Sequence, residues 1–135
     1  GLLNIGIEET KGTPAIKAAY ELMKDYPGLN FSGNVEGNTL FHESVTDVLV
    51  CDGFVGNIIL KQAEAFFSIS EKLKISHPFI DRMNFENIGG TPVVGINANV
   101  VIGHGISRRK AIKNMILQTK AVVGANLARK IIEAI

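Results

Sequence analysis

The sequence predicts a mixed α/β fold, and three observations carry that expectation. Short apolar runs that close on glycine alternate along the chain with stretches whose apolar residues recur at helical spacing. With 135 residues, 46% apolar and 20% charged, the chain is the size of one ordinary domain and can bury a core. No apolar run approaches the ~20 residues of a membrane-spanning helix. The architecture expected over residues 1–135 is a single layered α/β/α unit. The chain opens at Gly1 without an initiator Met and moves at once into an apolar run, so it is expected to be a piece of a longer protein.

Each element follows from local chemistry. Leu2 to Ile5 is an apolar strand closed by Gly6. Thr13-Pro14 supplies an N-cap and a first helical residue, and Ile16, Ala19, Tyr20 and Met23 then fall on one helical face until Pro27-Gly28. Leu29 to Ser32 alternates as a strand and ends at Gly33-Asn34. Val48-Leu49-Val50-Cys51 is apolar without alternation, as a strand covered on both faces would be. A helical pattern runs from about Val55 towards Leu73. Residues 66–85 are unusually rich in Phe and Ile and are broken at His77-Pro78. Strands are expected over Pro92–Ile96 and Asn99–Ile102, and Ser107 as N-cap of one long helix reaching the C-terminus.

Charge and cysteine content exclude several classes. The 14 Lys/Arg against 13 Asp/Glu give a net +1, too little for a protein that holds nucleic acid by phosphate neutralisation. The balance is uneven: residues 1–103 carry seven basic and twelve acidic side chains, residues 104–135 seven and one. A basic C-terminal segment suits an anionic partner or a solvated helix face. Cys51 is the only cysteine, so neither an internal disulfide nor a multi-Cys zinc site can form, and a reducing cytoplasm is expected. His42 and His77 lack ligand spacing, and no metal or cofactor is expected.

Four glycine-bearing loops follow strand-like runs: Asn4 to Gly12, Gly33 to Asn38, Asp52 to Asn57, and His104 to Ser107. In a mostly parallel sheet such loops gather at the carboxyl rim, where open α/β folds bind ligands. Glycine N–H groups and a helix N-terminus together suit a phosphate or other oxyanion. The third loop combines Asp52, Gly53, Gly56 and Asn57 in six residues, although Asp52 or Asn57 could equally cap the helix. Lys11 could neutralise a phosphate or pair with Glu8 and Glu9. His104, at a strand end, could be a general acid or base or a structural histidine. Cys51 lies in an apolar run, a poor place for a thiol nucleophile.

Leu3-Asn4-Ile5-Gly6 with Lys11-Gly12, Gly33-Asn34-Val35-Glu36-Gly37, Asp47 to Lys61, Gly89-Gly90-Thr91-Pro92, His104-Gly105 and Lys110 to Asn114 resemble, in order, the motifs of the PlsX-type phosphate acyltransferases. The resemblance covers nearly the whole chain apart from residues 66–88 and corresponds to the C-terminal portion of a larger two-domain enzyme. It implies transfer of a fatty acyl group from acyl carrier protein to inorganic phosphate, giving acyl phosphate for phospholipid synthesis. It also implies a fold similar to the phosphate acetyltransferases and the isocitrate dehydrogenase group, a homodimer, and neither acyl-enzyme nor metal.

On that reading Lys11, Asn57 and His104 are the catalytic candidates, and Asn34, Asp52, Gly53 and Gly56 the substrate-binding ones. The basic stretch from Arg108 to Lys130 would meet acyl carrier protein. Residues 66–85 would be core, a dimer interface or a peripheral contact with the inner face of the bacterial membrane. Asn38 stands where many relatives carry Arg, and Ile106 where Ser is common. The alternatives are a phosphate acetyltransferase using acetyl-CoA, or a non-catalytic module that binds an anion or a membrane or only dimerises. The 135-residue piece alone is expected to be inactive.

Overall fold

A computed structural model describes residues 1–41 and 46–134. The elements run β1 (Leu2–Asn4), α1 (Pro14–Lys24), β2 (Asn34–Glu36), a 3-10 turn over Gly37–Phe41, α2 (Gly53–Lys72), α3 (Pro78–Asp81) and α4 (Phe85–Ile88). They continue with β3 (Gly90–Pro92), β4 (Val101–Gly103), α5 (Arg109–Gly124) and α6 (Leu127–Ala134). Among the described residues, helices and two small sheets, one parallel and one antiparallel, make this a mixed α/β protein, as the alternating pattern predicts. The chain divides into two compact units, Gly1–Ile58 and Ile59–Ile135.

In the first unit β1 pairs in parallel with β2, Leu2 opposite Asn34 and Asn4 opposite Glu36. On its other side β1 makes a parallel bridge to Val50: Leu3 N–H donates to the Val50 carbonyl at 2.8 Å, and Val50 N–H to Gly1 at 2.9 Å. Leu2, Leu3, Val35 and Tyr20 are buried, and the Tyr20 ring meets Phe31 edge-on at 5.2 Å. Helix α1 starts as its sequence dictates, with Pro14 at its first turn and Thr13 Oγ1 accepting from Ile16 N–H at 3.3 Å.

Three local expectations are corrected here. Residues 29–32 form no strand; the pairing partner of β1 begins at Asn34, inside the stretch expected to be a loop. Residues 48–51 are not a strand covered on both faces. Only Val50 bridges to β1, and Val48 and Val50 are 69% and 46% exposed. Helix α2 begins at Gly53, not near Val55, because Asp52 caps it.

The second unit is built around α5, which packs on α4 and on the antiparallel pair β3–β4. Ala111 of α5 is fully buried. Gly89, at φ +95°, closes α4, and Asn114 Nδ2 donates to the Glu86 carbonyl at 2.7 Å. The expected strands at 92–96 and 99–102 shift to Gly90–Pro92 and Val101–Gly103. Ser107 is not the N-cap of α5. Its N–H donates to the His104 carbonyl at 3.0 Å, which places it in a turn and moves the cap to Arg108, whose side chain makes no capping bond.

The expected single C-terminal helix is two, divided where Asn126 takes a left-handed conformation at φ +53°. The apolar stretch 66–85 spans the end of α2 and α3, with Phe66, Ile69, Leu73, Ile75 and Phe79 exposed. No helix among the described residues is long and apolar enough to cross a membrane.

Candidate functional site

Parallel pairing decides where the loops of the first unit lie. β1, β2 and the Val50 bridge run in one direction, so the segments that leave their carboxyl ends share one edge. These segments are residues 5–12, the turn from Gly37, and Cys51–Asp52 leading into α2. The register puts Asn4 opposite Glu36 and Leu2 opposite Val50, so Asp52 and the start of α2 stand level with the end of β1.

The first loop is held by two buried asparagines. Asn4 spans its ends: Nδ2 donates to the Lys11 carbonyl at 3.1 Å, and Oδ1 accepts from Ile5 N–H at 2.8 Å. Gly12, at φ +92°, lies against that amide, and a Cβ there would meet Asn4 Oδ1 at 2.5 Å. Asn34 holds the middle of the loop, its Nδ2 donating to the Glu8 carbonyl at 2.9 Å. Asn34 Oδ1 is buried without a hydrogen-bond partner among the described residues. Asn34 was a binding candidate, and its amide nitrogen supports the loop. Asn4 is a support that the motif alone does not single out; its signal is an amide at a strand end directly before the glycine loop.

Lys11 is exposed, and its ammonium makes no ion pair among the described residues. Glu9 is occupied elsewhere: Lys24 donates to both its oxygens at 2.9 Å, and the Tyr20 hydroxyl donates at 3.1 Å. The Lys24 bond, then that of Tyr20, hold the Glu9 carboxyl below its ordinary range. The same pair raises Lys24, chiefly through its bond to Glu9, while Tyr20 is raised first by burial and then by Glu9. The charge on Lys11 is therefore left for something other than Glu9.

At the third loop Asp52 Oδ1 accepts from Phe54 N–H at 2.8 Å and Val55 N–H at 3.3 Å, which makes it the cap of α2. Gly56 N–H donates to the Asp52 carbonyl at 2.9 Å and is used within the helix. Gly53 is the first helical residue, where N–H groups have no intrahelical acceptor. Asn57, at the start of the second turn, is exposed and makes no side-chain hydrogen bond among the described residues. A Cβ on Gly56 would lie 3.1 Å from Sγ of the exposed Cys51, close enough that the thiol would have to shift slightly.

His104 belongs to the second unit, just beyond β4. Its Nε2 lies 3.3 Å from Glu64 Oε1, and its ring packs against Phe85 with centroids 4.6 Å apart. Glu64 was not among the sequence candidates; nothing local marks an acidic residue in mid-helix as the neighbour of a histidine forty residues on. His77 caps α3 through Nδ1, which accepts from Phe79 N–H at 3.2 Å, and His42 lies outside the described residues.

Comparison with known proteins adds the following. A family profile described as "Fatty acid synthesis protein" matches residues 1–78. Proteins named phosphate acyltransferase are similar over essentially the whole chain. The one from Dictyoglomus thermophilum is 39% identical over 99% of this chain and 45% of its own length. Those from Caldanaerobacter subterraneus and Desulforamulus reducens are 41% and 42% identical over 100% of this chain, and over 46% and 45% of their own lengths. The chain thus spans a little under half the length of these curated relatives. The first match occupies 153 aligned positions, more than the 135 residues available, so that relative carries residues this chain lacks inside the matched span.

Proposed function

The chain belongs to the fatty acid synthesis protein family, and on that premise we propose that the protein carrying it transfers a fatty acyl group from acyl carrier protein to inorganic phosphate. The acyl phosphate formed is used in phospholipid synthesis. The observation that carries this reading is the shared edge of the first unit, where Lys11, exposed and unpaired among the described residues, stands on a loop pinned by Asn4 and Asn34. The capped N-terminus of α2 leaves the same edge.

Such an edge suits phosphate chemically. A lysine ammonium supplies full positive charge, and the start of α2 supplies the Gly53 N–H, the Phe54, Val55 and Gly56 N–H groups being taken by Asp52. In the reaction a phosphate oxygen bonds to the thioester carbonyl carbon, the C–S bond breaks, and one proton passes from phosphate to the leaving thiol. Lys11 binds and orients the phosphate, the Gly53 end of α2 faces its charge, and the Asn57 amide orients phosphate or the carbonyl oxygen. Asp52 and Asn34 hold these groups in place; His104, in the second unit, is a candidate for proton transfer on the family resemblance alone.

The fold group expected from the resemblance, that of the phosphate acetyltransferases, the homodimer and a peripheral membrane contact through residues 66–85 belong to the same proposal. Acyl carrier protein, acidic as a class, would meet the basic side chains from Arg108 to Lys130, all seven of which are exposed.

The test is to mix the full-length gene product with long-chain acyl carrier protein and phosphate, and to trap acyl phosphate with hydroxylamine as the hydroxamate. Phosphate-dependent hydroxamate is expected. Product from acetyl-CoA alone would replace this reading with acetyl transfer, and no product from either donor would leave a binding module.

A further inference from the structure

We propose that Glu64 is the positioning residue for His104, holding the imidazole with its proton on Nε2 and its Nδ1 lone pair free for proton transfer. Resting on the acyl-transfer reading, this adds a residue from mid-helix α2 that none of the motifs pointed to.

The contacts around the ring fix it from three directions. Glu64 Oε1 lies 3.3 Å from Nε2, and Glu64 Oε2 is itself held by Lys61 Nζ at 3.0 Å, so the carboxylate has one oxygen for each partner. A carboxylate accepts and cannot donate, so a hydrogen bond across that separation requires the hydrogen on Nε2. Phe85 packs on the ring at 4.6 Å, and the backbone under it is closed by the Ser107 N–H bond to the His104 carbonyl. Nδ1 makes no hydrogen bond among the described residues.

The pair is not sealed in a core. The His104 side chain is 31% and that of Glu64 20% exposed, and Glu64 and Phe85 both line a groove of about 860 Å³ with Phe67, Ile106 and Arg108. A base held by a neighbouring carboxylate, its second nitrogen without a hydrogen bond among the described residues, is an arrangement that proton-transfer sites use. The net reaction moves one proton from phosphate to the departing sulfur, a transfer that an imidazole can serve.

Two measurements on the full-length gene product test this. The first is nitrogen-15 NMR of the His104 ring with the imidazole neutral. In the wild type Nε2 is expected at the protonated extreme and Nδ1 at the unprotonated one; in Glu64→Ala the two signals draw together as both tautomers populate. A proton on Nδ1 in the wild type, or no movement in Glu64→Ala, overturns the proposal whether or not the protein makes acyl phosphate.

The second is a mutant cycle on turnover. Glu64→Ala is expected to lower kcat about tenfold or more with KM for the acyl donor unchanged, and Glu64→Gln, which keeps an acceptor, to recover part of it. Adding Glu64→Ala to His104→Ala should cost nothing further, since Glu64 acts through the ring. Full additivity of the two would overturn the proposal. Absence of product from the wild type would instead count against the acyl-transfer reading, with the NMR result still deciding the tautomer.

Discussion

Gly89→Ala is expected to prevent the second unit from folding, as loss of soluble protein or a collapse of the urea midpoint. Two penalties coincide at this residue. Its φ of +95° is one that a side chain disfavours. A Cβ there would also lie against Met115 N, 2.7 Å from the Asn114 carbonyl carbon and 2.9 Å from Ala111 O. All three are backbone atoms of α5, which cannot turn aside as a side-chain tip can. Relief would require moving α5 off α4 and β3 and opening the site of the fully buried Ala111. A loss of about 3 kcal/mol or more follows, at the large end of single substitutions. Gly28→Ala is the control: φ is +85° there, but no heavy atom lies within 4 Å of the added Cβ, so only the backbone penalty of about 1 kcal/mol remains. Equal midpoints for the two variants would show that α5 does not press on Gly89.

The largest effect on catalysis is expected from Asn57→Ala, a fall in turnover of roughly tens-fold or more with the unfolding midpoint unchanged. The asymmetry comes from what the side chain touches. Asn57 is exposed on α2 and makes no side-chain hydrogen bond among the described residues, so its removal leaves no buried group unsatisfied. Its neighbour Asp52 differs, since its carboxylate caps α2 through Phe54 and Val55 N–H and its loss would weaken the helix. Hydroxamate formation against phosphate and acyl donor, with thermal melting alongside, separates the two roles. Normal turnover in Asn57→Ala would remove this amide from the site.

Much of the first unit was legible because its signals are local. Thr13-Pro14 sets the start of α1 through one side-chain bond and one fixed dihedral, and the Tyr20 face follows from helical spacing. The glycine loops announced a strand edge, and two of them, after β1 and before α2, lie on it. Strand position was less legible. β1 and β2 are three residues each, and whether residues 29–32 or 34–36 pair is decided by the partner strand, not by alternation. Residues 48–51 misled for a related reason: an apolar run without alternation does not say how many sides are covered.

The break at Asn126 was hidden inside a continuous apolar face, since a single left-handed residue leaves the periodicity on either side intact. Sequence proposed Lys11 and Asn57 in the first unit and His104 in the second from residue type and place. It missed the supports, Asn4 beneath Lys11 and Glu64 beside His104, because their partners are set by tertiary packing and loop closure. The Gly89-Gly90 motif shows the converse. It is part of the family resemblance, and its role here is to let α5 approach the chain.

The central claim is that phosphate is held at the first unit's strand edge by the charge on Lys11. Its most direct test is the phosphate saturation curve of acyl phosphate formation by the full-length gene product, wild type against Lys11→Ala. A half-saturating phosphate concentration raised about tenfold or more, with that of the acyl donor unchanged, is the expected result, because a charge-assisted contact to phosphate is lost and no contact to the acyl group is touched. Superimposable phosphate curves for the two proteins would contradict the claim and place the phosphate elsewhere.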